Sequence, residues 1–397
     1  MKLKSLTSSL VFAIFMFIGI ANADVFDITK FGAKPEAEIS KALSDAWAAV
    51  CSATQPGQLL IPKGRFLLNV VEFKGPCKAP IEVKIDGNVI GPEDPVLIPK
   101  GSQWITFSYV TGLKITGSGT IDGVGGAMSW PTDDPKTTVE KGSPLQYNLC
   151  LNFVKDSSIT GITSKDSKNF HVNLMTCTNV TFDDFHITAP PASPNTVGIR
   201  IVWSKNITIK NTVIETGDDC VSTGDGCENV HIEGVKCGPG RGISVGGLGR
   251  NKGEKPVSGV FVKNCSFSGT ENGVWIKTWP HSHRGECSDI HFEDLTMDKV
   301  ENPIIIEQDY CPHVECKKNS PSEVRIHNVF IQNVKGTSTS PKVVKLRCST
   351  SNDGCENVQI SDINLKYDGP SGPAVQECEN TKPVYSGEVV PPGCKAA

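Results

Sequence analysis

Asn206-Ile207-Thr208-Ile209 is followed a short distance later by Asn229-Val230-His231-Ile232. Each block opens on a polar residue and then alternates branched apolar side chains with outward ones, the pattern of a half-buried strand. The same block recurs in both directions along the chain. Upstream lie Ser158-Ile159-Thr160 and Asn179-Val180-Thr181-Phe182. Downstream come Gly259-Val260-Phe261-Val262, Asp289-Ile290-His291-Phe292, Glu323-Val324-Arg325-Ile326 and Asn357-Val358-Gln359-Ile360. Measured from the apolar residue, the intervals run irregularly from 21 to 34 residues. Between blocks sits a second apolar strand: Ile199–Ile201, Ile243–Val245, Val274–Ile276, Ile304–Ile306 and Val343–Leu346.

A repeat of that size in a chain of short strands predicts a coil in which each repeat is one turn. Equivalent strands then stack into parallel sheets around one elongated core. The expected fold is all-β, a right-handed parallel β-helix, a single-stranded solenoid. A two-sheet sandwich is the competitor, but its Asn-Gly hairpin turns are scarce here. Ile39–Cys51 carries the one helical pattern, with Ala42, Leu43, Ala46 and Val50 on one face. It is expected to cap the open N-terminal end of the core, and residues after about Ser371 to cover the other end. Loops from one side of successive turns would line a long groove, a shape suited to a linear polymer.

The first residues have a separate meaning. Lys2 and Lys4 precede an apolar run from Leu10 to Ile20, and Ala21-Asn22-Ala23 supplies small residues for cleavage. This predicts a signal peptide over 1–23 and a single mature domain over 24–397. The apolar run is too short to span a membrane comfortably, and no second one follows. The 397 residues, 38% hydrophobic and 21% charged, are those of a globular protein with a sizeable core. A net charge of −4 argues against general nucleic-acid binding. All 15 cysteines follow the leader, without finger spacing, as disulfides formed during secretion would be. Cys311 with Cys316, Cys348 with Cys355, and Cys378 with Cys394 are the pairs placed to bridge. The odd total leaves at least one thiol unpaired within the chain. Asn179, Asn206 and Asn264 head N-x-S/T sequons open to glycosylation.

Chemistry is concentrated around Gly217-Asp218-Asp219-Cys220. Two adjacent carboxylates repel, so one tends to keep its proton, and glycoside hydrolysis uses such a pair as proton donor and water activator. In isolation an Asp-Asp pair is more simply a solvated turn. Its surroundings argue otherwise. Ser193-Pro194-Asn195-Thr196 and Gly198-Ile199 lie one coil before it. Gly238-Pro239-Gly240 with Gly242-Ile243-Ser244, and Leu248-Gly249-Arg250, lie one coil after it. Ile276-Lys277-Thr278-Trp279-Pro280, then Asn302-Pro303-Ile304 with Gln308 and Tyr310-Cys311-Pro312, come on the next two. Stacked side by side, these segments would send polar groups from four or five turns into one groove.

In order and spacing these segments resemble plant polygalacturonases of glycoside hydrolase family 28, most of all the pollen exopolygalacturonase branch, over essentially the whole mature chain. The resemblance implies a pectin-lyase-like β-helix, secreted to the cell wall and monomeric. It implies metal-free, cofactor-free, inverting hydrolysis of α-1,4-galacturonosyl bonds in pectin, of the exo type. Residue by residue, it makes Asp218 the general acid, with Asp219 helping to activate water. Tyr310 is the active-site tyrosine, while Lys277 and Asn195 contact substrate. Four positions depart from the family pattern. Val197 replaces an aspartate, Arg241 a histidine, Trp275 a substrate-gripping arginine, and Arg200 the histidine usual in plant members.

Each change has a physical consequence. Val197 cannot accept a proton, and losing a general base or its partner costs on the order of 10²–10⁴ in rate. Arg241 cannot titrate as histidine does, and its charge is expected to hold the Asp218 carboxyl down. Trp275 loses a bidentate carboxylate clamp but presents a ring face to a sugar. Arg200, Arg241, Arg250 and Lys277 leave the groove cationic for a polyanion. Two classes of function follow: a weakened pectin glycosidase, or a non-catalytic pectin-binding protein, for instance a decoy for polygalacturonase-inhibiting proteins. A calcium-dependent lyase lacks support, since the motifs are those of hydrolases. Gly238–Gly249 lacks a nucleotide-binding spacing, and for His281, His283 and Cys287 a bridged loop is expected over a zinc site. Trp130 is expected in packing, and Trp279 in packing or in the groove wall.

Overall fold

The computed structural model describes residues 24–93, 103–126, 147–312, 316, 320–351, 354–367 and 369–394. The expected leader over 1–23 and Trp130 lie outside the described residues. The coil is present, and every strand pairing in it is parallel. An 11-stranded sheet collects the second strand of each repeat, including Ile199–Val202, Val221–Thr223, Ile243–Leu248, Asn272–Thr278 and Asn302–Glu307. A 21-stranded sheet wraps the other faces. Its faces merge because the long strand Gly285–Val300 turns the corner, pairing with both Val257–Lys263 and Ser266–Ser268.

Alternation drives one side chain in two inward, and stacking then aligns like with like. Ile159, Phe182, Ile209, Ile232, Val262, Phe292, Ile331 and Ile360 form one continuous inward column, all buried. Outward positions stack too: His231, Phe261, His291 and Phe330 follow one another at 4.8, 4.7 and 4.6 Å between ring centres. At the corner before each inward run the backbone turns left-handed, and Asn179, Asn206 and Asn229 take φ of 56, 54 and 58° there. Asparagine tolerates this region because its short amide finds a local partner. Asn206 Nδ2 donates to Asn179 Oδ1 at 2.9 Å, and Asn229 Nδ2 to Asn206 Oδ1 at 2.8 Å. The sequon asparagines 179, 206 and 264 are all exposed, and the first two belong to this ladder.

Two repeat assignments shift. Val329, not Val324, follows Ile290, and Ser157, not Ile159, aligns with Val180. The left-handed corners Asn328 (φ 56°) and Asp156 (φ 49°) set those registers. Apolar alternation continues straight through the long strand Val324–Ser338 and so hides the corner.

Helix Ser40–Ser52 closes the N-terminal end with Ala42, Leu43, Ala46, Trp47 and Val50 inward. The Trp47 ring lies 4.9 Å from Phe73, and Cys51–Cys77 ties the helix end to the coil. The tail covers the far end as expected, with Ala374, Cys378, Tyr385 and Val389 packed against the core. Val375–Glu379 and Val384–Val390 add another, largely exposed rung, stapled by Cys378–Cys394.

The three expected disulfides are present, joined by Cys51–Cys77 and Cys220–Cys237. Cys150, Cys177, Cys227, Cys265 and Cys287 are free and buried, so Cys287 bridges nothing. It is the third residue of strand Gly285–Val300 and faces the core rather than the loop before it. Burial pushes the thiols of Cys227, Cys265 and Cys287 up to about 12. Cys177 and Cys227 occupy one column with Ser204 between them, two strand spacings apart (roughly 9–10 Å), beyond disulfide reach.

Phe182→Ala should cost about 3–5 kcal/mol, because the rigid column cannot collapse into the space left. Chemical denaturation of the two proteins measures it; a loss below about 1 kcal/mol would mean the coil relaxes locally.

Candidate active site

Gly217 fixes where the paired carboxylates sit. A Cβ there would meet the Ser193 carbonyl oxygen at 2.0 Å, so the neighbouring coil admits only glycine. Asp218 and Asp219 then emerge at the edge of the 11-stranded sheet, just before strand Val221–Thr223. Behind them the Cys220–Cys237 disulfide joins the turn to the next coil.

The two carboxylates have different surroundings. Asp219 Oδ2 accepts from Ser244 Oγ at 2.6 Å and Lys277 Nζ at 2.9 Å, while its buried Oδ1 has no protein partner. Asp218 Oδ1 accepts the Asp219 amide at 2.7 Å and lies 3.8 Å from Arg241 Nη1. Burial first, then the charge of Asp219, push the Asp218 carboxyl up to about 6, against the pull of Arg241 and Lys277. Arg241 pulls this carboxyl down as expected, but burial and Asp219 outweigh it, so the net shift is upward. Arg241 is 45% exposed and also pairs with Glu271 at 3.3 Å, so water and a second carboxylate dilute its field.

Lys277 is enclosed. Its Nζ lies 4.4 Å from the centre of the Trp275 ring and 5.3 Å from that of Tyr310. Burial opposes its charge, yet Asp219, Tyr310 and Asp218 together leave its pKa raised. Tyr310 stands edge-on to Trp275 at 5.3 Å and to Trp279 at 5.4 Å, and burial raises its pKa. Arg250 lies over the Trp279 ring at 4.9 Å. Trp275 is buried, with its indole nitrogen unpartnered, so it presents little ring face to the cleft.

These groups surround one open cleft of about 780 Å³. Asn195, Val197, Arg200, Asp218, Asp219, Arg241, Trp275, Lys277 and Tyr310 all line it, so every candidate catalytic or substrate-contacting position converges. Arg200 lies at one end, donating to Asn173 at 3.2 Å and packed over the Phe170 ring. Trp279 forms part of the wall. Glu271, Glu307 and Phe170 were not legible as site residues, and Ser244 was so only as part of a segment expected along the groove. Ser244 reads as an ordinary strand serine until its register beside Ser222 and Trp275 is known. Glu271 becomes visible only as the partner of Arg241.

The sequence pattern of the glycosyl hydrolases family 28 matches residues 51–389. A polygalacturonase of Nicotiana tabacum is 44% identical over 98% of this chain and 96% of its own length. An exopolygalacturonase of Platanus acerifolia is 44% identical over 94% of this chain and 98% of its own. Among solved structures, the hyperthermoactive exopolygalacturonase of Thermotoga maritima superposes with a TM-score of 0.73. It is 18% identical and covers 91% of each chain, a likeness of fold.

A carboxyl raised from 3.8 to about 6 on folding keeps a proton that the unfolded chain has released. The folded state is therefore favoured below about 4 and loses that advantage as pH rises to about 6. Asp218→Asn should remove this loss, so the variant gains stability relative to the parent across that window. Unfolding midpoints from pH 4 to 7 check it; a pH-independent difference would show that Asp218 is not raised.

Proposed function

The chain belongs to the glycosyl hydrolases of family 28, and from that premise we propose that it is a secreted, monomeric cell-wall protein that holds the galacturonan of pectin and hydrolyses it only slowly. Removal of residues 1–23 would release the mature domain, with Asn179, Asn206 and Asn264 available to carry glycans. In this reading Asp218 is the general acid, donating its proton to the leaving glycosidic oxygen. Asp219 orients water for attack on the opposite face, with inversion and exo-type release. Tyr310 and Asn195 border the reacting sugar, and Arg200 with Lys277 meets its carboxylates.

One observation carries the reading: a carboxyl poised near 6 beside a second carboxylate, in a cleft where position 197 offers only a valine. The proton donor is intact, but water activation falls to Asp219 alone, already engaged by Ser244 and Lys277. The cost of losing one general base is about 10²–10⁴ in rate. Trp275 adds to it by caging Lys277 against Asp219 rather than offering a second cation to substrate. A non-catalytic pectin-holding role, with inhibitor proteins as alternative partners, is the limit of this reading when the rate falls to zero.

The purified protein should be retained on polygalacturonate and release reducing ends far more slowly than an intact relative; equal rates would overturn the proposal. The combined reversion Val197→Asp, Arg241→His, Trp275→Arg should raise release by about 10²–10⁴-fold. No rise in a folded protein would show that the remaining cleft no longer supports hydrolysis.

A further inference from the structure

Outside the cleft, one corner of the coil carries strongly exposed aromatic rings. Tyr109, Phe153 and Trp203 are 50, 37 and 48% exposed, and they are the strongly exposed aromatic residues among those described. They are not scattered. The amide of Tyr109 bonds to the Asn152 carbonyl, that of Phe153 to Met175, that of Thr176 to Val202, and that of Trp203 to Asp225. Tyr109, Phe153, Thr176 and Trp203 therefore form one column, each just past a strand of the cleft-bearing sheet.

All four take left-handed backbone, with φ of 59, 55, 58 and 50°. Bulky side chains pay for that region, and the adjoining corner row fills it with asparagine instead. Mutual packing accounts for part of the arrangement, since Tyr109 and Phe153 stack at 4.7 Å with ring planes 6° apart. It does not account for Trp203, which is separated from Phe153 by the small Thr176. Phe153 and Trp203 stand two strand spacings apart, roughly 9–10 Å, with only Thr176 in the rung between them. That spacing is of the order of a pyranose ring packed between two exposed aromatic side chains.

The column is continuous with the cleft. Trp203 Nε1 donates to Asp225 Oδ2 at 2.7 Å, and Asp225 lines the cleft beside Gly224 and Arg200. From there the rings lead toward the helix-capped end, over roughly 14 Å from Trp203 to Tyr109 at one strand spacing per coil.

We propose that Tyr109, Phe153 and Trp203 form a sugar-stacking rail that holds the part of a galacturonan chain extending beyond the cleft. The inference rests on the reading that the cleft takes galacturonate. The rail grips pyranose rings by their apolar faces, leaving the carboxylates in water, and so makes affinity depend on chain length.

The test compares binding of long polygalacturonate and of trigalacturonate by the whole mature protein and by the variant Tyr109→Gly, Phe153→Asn, Trp203→Asn. Glycine and asparagine suit left-handed backbone, so the unfolding midpoint should hold, and each single variant is measured in case the triple one does not fold. The polymer should bind roughly tenfold more weakly to the variant, with trigalacturonate unchanged. Undiminished polymer binding, or equal losses for both ligands, would overturn the rail. Parent protein that holds polymer but not trigalacturonate, and loses it in the variant, would support the rail and sink the cleft reading. Parent protein that binds neither would sink both.

Discussion

Parallel strand stacking at one spacing per coil is the constraint on which everything else depends. Each turn must place its strands directly over those of the turn before, or two rows of backbone donors and acceptors go unpaired. Register is held by left-handed corner residues and by inward columns such as Phe182, Ile209 and Ile232. Side chains distant in sequence then become neighbours: Asp219, Ser244 and Lys277 come from three successive coils and meet within hydrogen-bonding distance. Buried cysteines obey the same geometry, since the coil that brings Cys220 and Cys237 together keeps Cys177 from Cys227.

Within this scaffold the cleft is a balance between burial and charge. Asp218 and Asp219 are adjacent in sequence, but only Asp219 has a lysine and a hydroxyl. Asp218 has one amide, a distant guanidinium and little water. Desolvation therefore outweighs the cation at position 241. Two other side chains form local partnerships: Arg241 takes Glu271, and Trp275 encloses Lys277.

The sequence by itself determined the coil, because apolar alternation repeated over many turns has one stable way to bury its inward rows. It also determined the capping helix, through Ala42, Leu43, Ala46 and Val50, three of the five disulfides, and which residues share the cleft. Those properties depend on spacing along the chain, which a sequence displays directly. Tertiary structure alone decided the rest. The register at Asn328 depends on a corner that alternation conceals. The state of Asp218 depends on how much water reaches it and on whether Arg241 has another partner. Cys287 is silent because it faces the core, and Trp203 stands at the cleft rim because the next coil supplies Asp225. Each of these is set by contacts between turns, where distance in the chain carries no information about distance in space.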